Sequence, residues 1–272
     1  LGFLWMGFWV TMYDKPIRSK HVNEAELAYI RQDEDEVPAA AEVEEKNTIP
    51  FLKCFTYRQT WSFITGKFFT DGVWWFYLFW APAYFQDQFG YKASSGMGMS
   101  LIVTLYAIVT VISIFGGYLP KMFVEKKGMH PYNGRMLAML IFAFFPLFAL
   151  FAQPMGQYSA WWPAIIIGLA GAGHQAWSAN LFSTIGDMFP KSAIATITGI
   201  GGMAGGISSF IINLSAGRLF DYSASMGAEF TFLGFEGKEA GYMIVFCICA
   251  VAYLIAWSIM KALVPKYKKI EE

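Results

Sequence analysis

Charged residues are scarce in this sequence. Only 15% of its 272 residues are Asp, Glu, Lys or Arg, whereas 56% are hydrophobic. Soluble domains carry nearer a quarter charged residues, and here the apolar residues come in runs of about 20. The composition therefore excludes an ordinary soluble domain and predicts an all-α polytopic membrane protein. It contains no basic block with interleaved aromatics, so we expect no nucleic-acid partner.

The sequence also lacks the motifs of common enzymes. Its three histidines are scattered, and it contains no HExxH, no GxSxG and no nucleotide-binding loop. The three cysteines, Cys54, Cys247 and Cys249, do not have the spacing of zinc ligands. We therefore expect a protein that is not an enzyme, with no catalytic residues, no metal and no cofactor.

The order of polar and apolar segments predicts four parts. Residues 1–12 are interpreted as the end of a transmembrane helix that begins before this sequence. Residues 13–59 form a polar loop, with a short surface helix capped by Asn23 and a solvated acidic run at 33–36. Residues 264–272 form a tail. The remaining part, 60–263, is a six-helix bundle with spans near 60–85, 97–119, 135–152, 160–185, 194–217 and 240–263.

Lysine and arginine are distributed unevenly among the loops. Sixteen of the 20 lie in the 13–59 loop, between the second and third spans, before the fifth span, or at the C-terminal end. Because cytoplasmic loops are enriched in these residues, the central loop and the C-terminus are expected to be cytoplasmic. Six spans match one half of a two-half transporter, and such halves consist of two inverted three-helix repeats.

The stretch from residue 170 to residue 190 is apolar, yet it carries six polar side chains within eleven residues. Hydrocarbon does not tolerate such groups facing lipid, so they must face the protein interior or an aqueous cavity. Gln175 and Ser178 share one helix face and, with Asn180, are predicted to bind a polar substrate. His174 is more often a hydrogen-bonded core residue than a proton carrier. Asp187, at the membrane edge, is expected to make a structural or gating contact.

The first full span contains an ionisable pair, Lys67 and Asp71, four residues apart on one helix face. Such a pair inside a span is functional by default, and Lys67 is expected to attract a substrate carboxylate. The alternative is that Lys67 snorkels to water and pairs with Asp71 only to be tolerated. Trp74 and Tyr77 continue this face, and we predict that they stack against a sugar ring. Aromatic residues near the end of a span also form belts at the membrane interface, but Trp74 and Tyr77 lie deeper in this span.

The fifth span contains the glycine-rich string GIGGMAGGISS at residues 199–209. Its spacing is not that of a nucleotide loop, and no strand precedes it. Gly201 and Gly205, like Gly202 and Gly206, are four residues apart, which allows close helix approach in lipid. Asn213 follows in the same span and is predicted to be a further substrate-lining residue.

Three strings in this sequence resemble the hexuronate transporters of the major facilitator superfamily, in its anion:cation symporter family: GHQAWSANLFSTIGDMFPK, GKFFTDGVWWFYLFWAPAYF and TGIGGMAGGISSFI. The resemblance covers essentially the whole chain and implies the end of helix 6, the central loop and helices 7 to 12. It implies proton-coupled uptake of glucuronate or galacturonate across the bacterial inner membrane by alternating access. The N-terminal half of the same transporter is the implied partner, carrying the proton-coupling acids and a carboxylate-binding arginine.

The chain departs from the family pattern in the loop after the second span. Lys121 stands where an acidic residue is expected, so a conformational latch that needs that acid lacks it here. The sequence leaves alternatives open for both the substrate and the class of protein. The substrate is alternatively a galactonate-like sugar acid or another organic anion. From another class of protein, a non-transporting membrane sensor or a channel remains an alternative.

Overall fold

The computed structural model describes residues 2–31 and 49–270, and it divides the chain into two compact units, Leu1–Thr48 and Ile49–Glu272. The first unit contains helices α1 (Gly2–Met12) and α2 (Glu24–Arg31). The Asn23 Oδ1 atom accepts a hydrogen bond from the Glu26 amide at 2.8 Å, which confirms the predicted cap. The acidic run at 33–36 lies outside the described residues.

The second unit is built almost entirely of helices, and each predicted span overlaps one helix or two consecutive ones. Short 3-10 helices at Phe145–Phe151 and Gly227–Glu229 join some of them. The elements in chain order are α3 (Phe51–Cys54), α4 (Arg58–Phe89), α5 (Gly96–Ser113), α6 (Phe115–Lys127), α7 (Pro131–Ala143), α8 (Ala152–Gly156), α9 (Trp161–Met188), α10 (Lys191–Met226), strands β1 (Thr231–Phe232) and β2 (Phe235–Glu236), and α11 (Gly237–Leu263).

Two of the predicted spans are interrupted. The second is divided at Ile114 into α5 and α6. The third changes from α7 to a 3-10 helix at Phe145, because Pro146 has no N–H to donate to the carbonyl of Phe142. The fifth span, predicted to end at 217, continues in α10 as far as Met226.

A two-stranded hairpin fills much of the connection between α10 and α11. Thr231 is paired with Glu236, and Phe232 with Phe235, in antiparallel register. The two residues between the strands, Leu233 and Gly234, have φ values of 50° and 84°. Positive φ at both positions is the geometry of a tight hairpin turn that matches the strand twist, and glycine adopts it without steric cost.

In the described part of the chain, four segments are long and apolar enough to cross a membrane: Gly96–Lys127, Pro131–Gly156, Lys191–Glu229 and Gly237–Leu263. Helices α4 and α9 are not in this set, although they contain 32 and 28 residues. These two helices carry most of the polar residues singled out in the sequence. Polar groups within a membrane protein face the bundle interior or a water-filled cavity, so lower hydropathy is expected for such helices.

In chain order the membrane-length helices form two groups of three. The first group consists of α4, α5–α6 and α7–α8, and the second of α9, α10 and α11. The first helix of each group makes an extensive contact with the second helix of the other, α4 with α10 and α9 with α5. This exchange is the pattern expected of two inverted repeats, and it places α4 and α9 at the centre of the bundle.

Candidate functional site

The Lys67–Asp71 pair lies in the middle of α4 and is buried. The Lys67 Nζ atom is 2.5 Å from Asp71 Oδ2, and the two side chains are only 8% and 12% exposed. The ammonium also lies 4.6 Å from the centre of the Phe182 ring on α9, a cation–π contact. The two charges therefore neutralise each other away from water, and Lys67 does not snorkel to the surface of this unit.

The carboxylate of this pair lies at a close contact between α4 and α10. A Cβ atom added at Gly205 would overlap Asp71 Oδ2, and one added at Gly201 would overlap the Phe63 ring. Gly202 and Gly206 face open space instead. Of the two glycine pairs that the sequence offers for close packing, only the Gly201 and Gly205 pair is used against α4.

A second cluster, one turn further along α4, joins three helices. The rings of Trp74 and His174 are stacked, with centroids 5.1 Å apart and planes 6° apart. His174 Nδ1 lies 2.7 Å from the hydroxyl of Tyr253 on α11, and that hydroxyl donates to the Thr70 carbonyl at 3.2 Å. Because a hydroxyl has one proton, this arrangement assigns the Nδ1–H of His174 as donor to Tyr253. His174 is thus a hydrogen-bonded core residue, the more frequent of its two expected roles.

Gln175 and Ser178 occupy the part of α9 between these two clusters. With Phe182 they are spaced i, i+3 and i+7, so all three lie on one helix face. Both polar side chains are partly exposed, and neither is hydrogen-bonded to a described residue. At one end of this face Phe182 contacts Lys67, and near the other Gly171 packs against Trp74. The Lys67 ammonium and the Trp74 ring therefore border this face, and the side chains of Gln175 and Ser178 keep their hydrogen-bonding groups available for a ligand.

Asn180 has a different environment from the one expected for a substrate ligand. It is 3% exposed, and its amide donates to the carbonyls of Gly116 at 2.7 Å and Ala176 at 2.8 Å. Four residues after Gly116 stands Pro120, which has no N–H to donate to that carbonyl. Asn180 therefore supplies a hydrogen bond that α6 cannot make for itself. Both amide hydrogens are thus used within the protein, and the role of Asn180 as a substrate ligand stays a prediction.

Tyr77, which is also predicted to contact the substrate, is buried in this unit. Trp74 is partly exposed, but Tyr77 is only 2% exposed and belongs to the apolar core between α4, α9 and α11. Residues three apart lie near the same helix face, but the side chain of Tyr77 is covered by α11, whereas that of Trp74 stays partly exposed. A sugar ring has no access to Tyr77 in this unit.

Asn213 and Asp187 lie away from the two central clusters. Asn213 accepts a hydrogen bond from Trp80 Nε1 at 2.9 Å and donates to the Ser209 carbonyl at 2.8 Å, in an open groove between α4 and α10. Asp187, at the end of α9, pairs with Arg135 of α7 through two contacts of 2.8 and 3.3 Å. Asp187 thus makes an interhelical contact of the kind expected at a membrane edge.

Four of the predicted residues are brought together with two that were not singled out. Lys67, Asp71, Trp74 and His174 form the two clusters, joined by Phe182 and Tyr253. The sequence signal for Tyr253 was weak, a single hydroxyl in the apolar string CICAVAYLIAW. The sequence does not indicate a role for Phe182, because this role depends on its contact with Lys67 of α4.

A helical bundle with interior charge and free polar groups on its central helices defines an all-α multi-pass membrane protein of the transporter class. Residues 1–213 match the Major Facilitator Superfamily. The chain belongs to this superfamily.

Several relatives are themselves transporters. The chain is 25% identical over 225 residues to the hexuronate transporter of Escherichia coli (strain K12), covering 81% of this chain and 50% of that protein. It is 27% identical over 130 residues to the D-galactonate transporter of Escherichia coli O6:H1, covering 46% and 30%. It is 24% identical over 234 residues to the vesicular glutamate transporter 1 of Xenopus tropicalis, covering 85% and 40%. The chain spans about half the length of the hexuronate transporter.

Proposed function

We propose that this protein is a proton-coupled symporter that takes up hexuronates such as glucuronate and galacturonate by alternating access. The observation that carries the proposal is the α9 face with free Gln175 and Ser178, bordered by the Lys67 ammonium and the Trp74 ring. A hexuronate offers the matching chemistry, with one carboxylate, several hydroxyls and a ring face of C–H groups. A relative that is a hexuronate transporter supports the same substrate class.

Each side chain has one role in this proposal. Lys67 attracts the carboxylate, Trp74 stacks against the ring, and Gln175 and Ser178 bind hydroxyls, since an amide and a hydroxyl can both donate and accept. Asp71 holds Lys67 in the absence of substrate. Because Asp71 also packs against α10, a substrate carboxylate that competes for Lys67 changes the contact between two helices, as alternating access requires.

The remaining parts of the proposal concern the cellular setting. The N-terminal half of the same transporter completes the cavity and supplies the proton-coupling acids. The protein lies in the bacterial inner membrane, with the central loop and the C-terminus in the cytoplasm, as the excess of Lys and Arg in these parts favours.

The test is uptake of labelled galacturonate by the full-length protein in proteoliposomes, with and without an inward proton gradient. We expect accumulation only with the gradient, and inhibition by unlabelled glucuronate but not by glucose. Downhill flux without saturation would indicate a channel, and binding without flux a sensor; either result would refute symport.

A second substrate class is favoured by two of the relatives, a D-galactonate transporter and a vesicular glutamate transporter. Sugar acids without a ring and other organic anions share the carboxylate but not the stacking face. Stronger inhibition by galactonate than by glucuronate would favour this class and remove the reason for assigning Trp74 to stacking.

Substitutions on one helix separate binding from packing. Ser178 is free, whereas the Ser183 hydroxyl donates to the carbonyl of Ala179 in the same helix at 2.9 Å. We expect Ser178→Ala to raise the KM for uptake about tenfold, the effect of about 1.4 kcal/mol, and Ser183→Ala to leave it unchanged. Equal effects of the two variants would contradict the assignment of Ser178.

A further inference from the structure

A large groove lies at the end of the bundle where α4 begins and α11 ends. It has a volume of about 990 Å³ and is lined by residues 56–59 and 263–270. We call it the basic groove. It is remote along α4 from the Lys67–Asp71 pair and shares none of its lining residues with the candidate transport site.

The wall formed by the C-terminal segment is held in place by specific hydrogen bonds. Gln59, 7% exposed, donates to the Lys268 carbonyl at 3.1 Å. The Ile270 amide donates to the Met188 carbonyl at 2.8 Å, and the Tyr132 hydroxyl donates to the Val264 carbonyl at 2.9 Å. The segment after α11 is therefore fixed against three other helices, and the groove is a built feature of the fold.

The charge of the lining is entirely positive. It contains four cationic side chains and no Asp or Glu, and none of the four makes an ion pair within the part of the chain that the structure describes. Helix α4 also begins here, without a side-chain cap at Tyr57, so the positive end of its dipole adds to the field. These four are Arg58, Lys266, Lys268 and Lys269.

The surroundings of the groove indicate a lipid rather than a soluble anion. Phe51 and Leu52 of α3 and Trp61 of α4 are 51%, 78% and 47% exposed next to it in the chain. The indole N–H of Trp61 donates to the carbonyl of Phe55. Exposed apolar and tryptophan side chains beside unpaired cations are typical of the interface between hydrocarbon and headgroups. Basic pockets at this level on the cytoplasmic side bind anionic headgroups.

We propose that the basic groove binds the headgroup of an anionic phospholipid, with its phosphate among the side chains of Arg58 and the three lysines. The exposed side chains of α3 and Trp61 lie along its acyl chains. The site rests on the proposed cytoplasmic orientation of this end of the bundle, but it does not depend on the transported substrate.

The test measures lipid retention by the full-length protein in detergent, by native mass spectrometry with equal amounts of phosphatidylglycerol and phosphatidylcholine. We expect selective retention of phosphatidylglycerol, reduced about tenfold in Lys266→Gln/Lys268→Gln/Lys269→Gln. The matched control removes three exposed lysines that do not line the groove, at positions 121, 126 and 127. Equal retention by the groove variant and this control would overturn the proposal.

Two further arms identify the source of the anion and guard against misfolding. Inorganic phosphate is added as competitor, and if it displaces phosphatidylglycerol at low millimolar concentration, the groove is a site for a soluble anion and the proposal fails. Arg58→Gln alone keeps all three tail lysines. It is expected to lower selectivity while the melting temperature stays unchanged, and unaltered selectivity in this variant would also refute the site.

Discussion

Removal of one charge from the Lys67–Asp71 pair is expected to destabilise the protein strongly. The two side chains are 8% and 12% exposed, and Lys67 is the one charged partner of Asp71 among the described residues. Breaking a buried pair in this way leaves an unpaired charge and costs about 3–5 kcal/mol. Lys67→Met keeps the length of the side chain and removes its charge, so we expect a loss in this range.

Replacement of both charges should restore most of that stability. Buried pairs replaced by apolar residues of similar volume are often neutral or stabilised, because the desolvation penalty disappears with the attraction. We therefore expect Lys67→Met/Asp71→Leu to unfold within about 1 kcal/mol of the wild type. Because each single variant is expected to lose about 3–5 kcal/mol, the coupling free energy in a double-mutant cycle should be at least about 5 kcal/mol. The measurement is equilibrium unfolding of the purified full-length protein in mixed micelles.

The chain offers a matched control with the same spacing. Lys121 and Glu125 of α6 are also four residues apart, but they are 65% and 61% exposed and 3.7 Å apart. Solvent screening should limit their coupling to about 0.5 kcal/mol or less. A coupling of the central pair as small as that of this surface pair would refute the argument that Lys67 and Asp71 are desolvated. Uptake by the stable double variant then tests transport separately, and we expect it to be lost.

Three other substitutions test the packing and the site. Gly205→Ala should lower the melting temperature because the added methyl group overlaps the buried carboxylate, whereas Gly206→Ala, facing open space, should leave it unchanged or raise it; equal melting temperatures would contradict the observed α4–α10 contact. Asn180→Ala should lower the free energy of unfolding by about 1–3 kcal/mol, because the Gly116 carbonyl then has no donor; an unchanged value would mean that water replaces the amide. Gln175→Ala should raise the KM for uptake with no change in melting temperature, and a change in melting temperature alone would assign Gln175 to packing.

Much of the fold follows from local patterns in the sequence. The apolar runs predict helices at the six places where helices lie, since a run of this length has few other ways to satisfy its backbone. The Asn23 cap and the contact between Lys67 and Asp71 also depend on neighbours within four residues. Such short-range features are determined by helix geometry alone.

The features that the sequence did not predict depend on contacts between distant residues. The break at Ile114 lies two residues before Gly116, whose carbonyl accepts a hydrogen bond from Asn180, 64 positions later in the chain. The burial of Tyr77 depends on α11, more than 160 positions later in the chain. The spacing of Trp74 and Tyr77 is compatible with a shared helix face. The packing of α11 against α4 decides which of the two side chains is accessible.

The polar residues of α9 illustrate why a residue type does not identify a ligand. A polar group in an apolar helix needs a partner, and the sequence states that need without saying whether the partner is a substrate or the chain itself. Pro120 creates a second need, since it leaves the Gly116 carbonyl without a donor, and Asn180 satisfies both needs at once. Gln175 and Ser178 have no such partner among the described residues. Because these two keep their hydrogen-bonding capacity within a membrane protein, a hydroxylated substrate has more reason to be bound there than at Asn180.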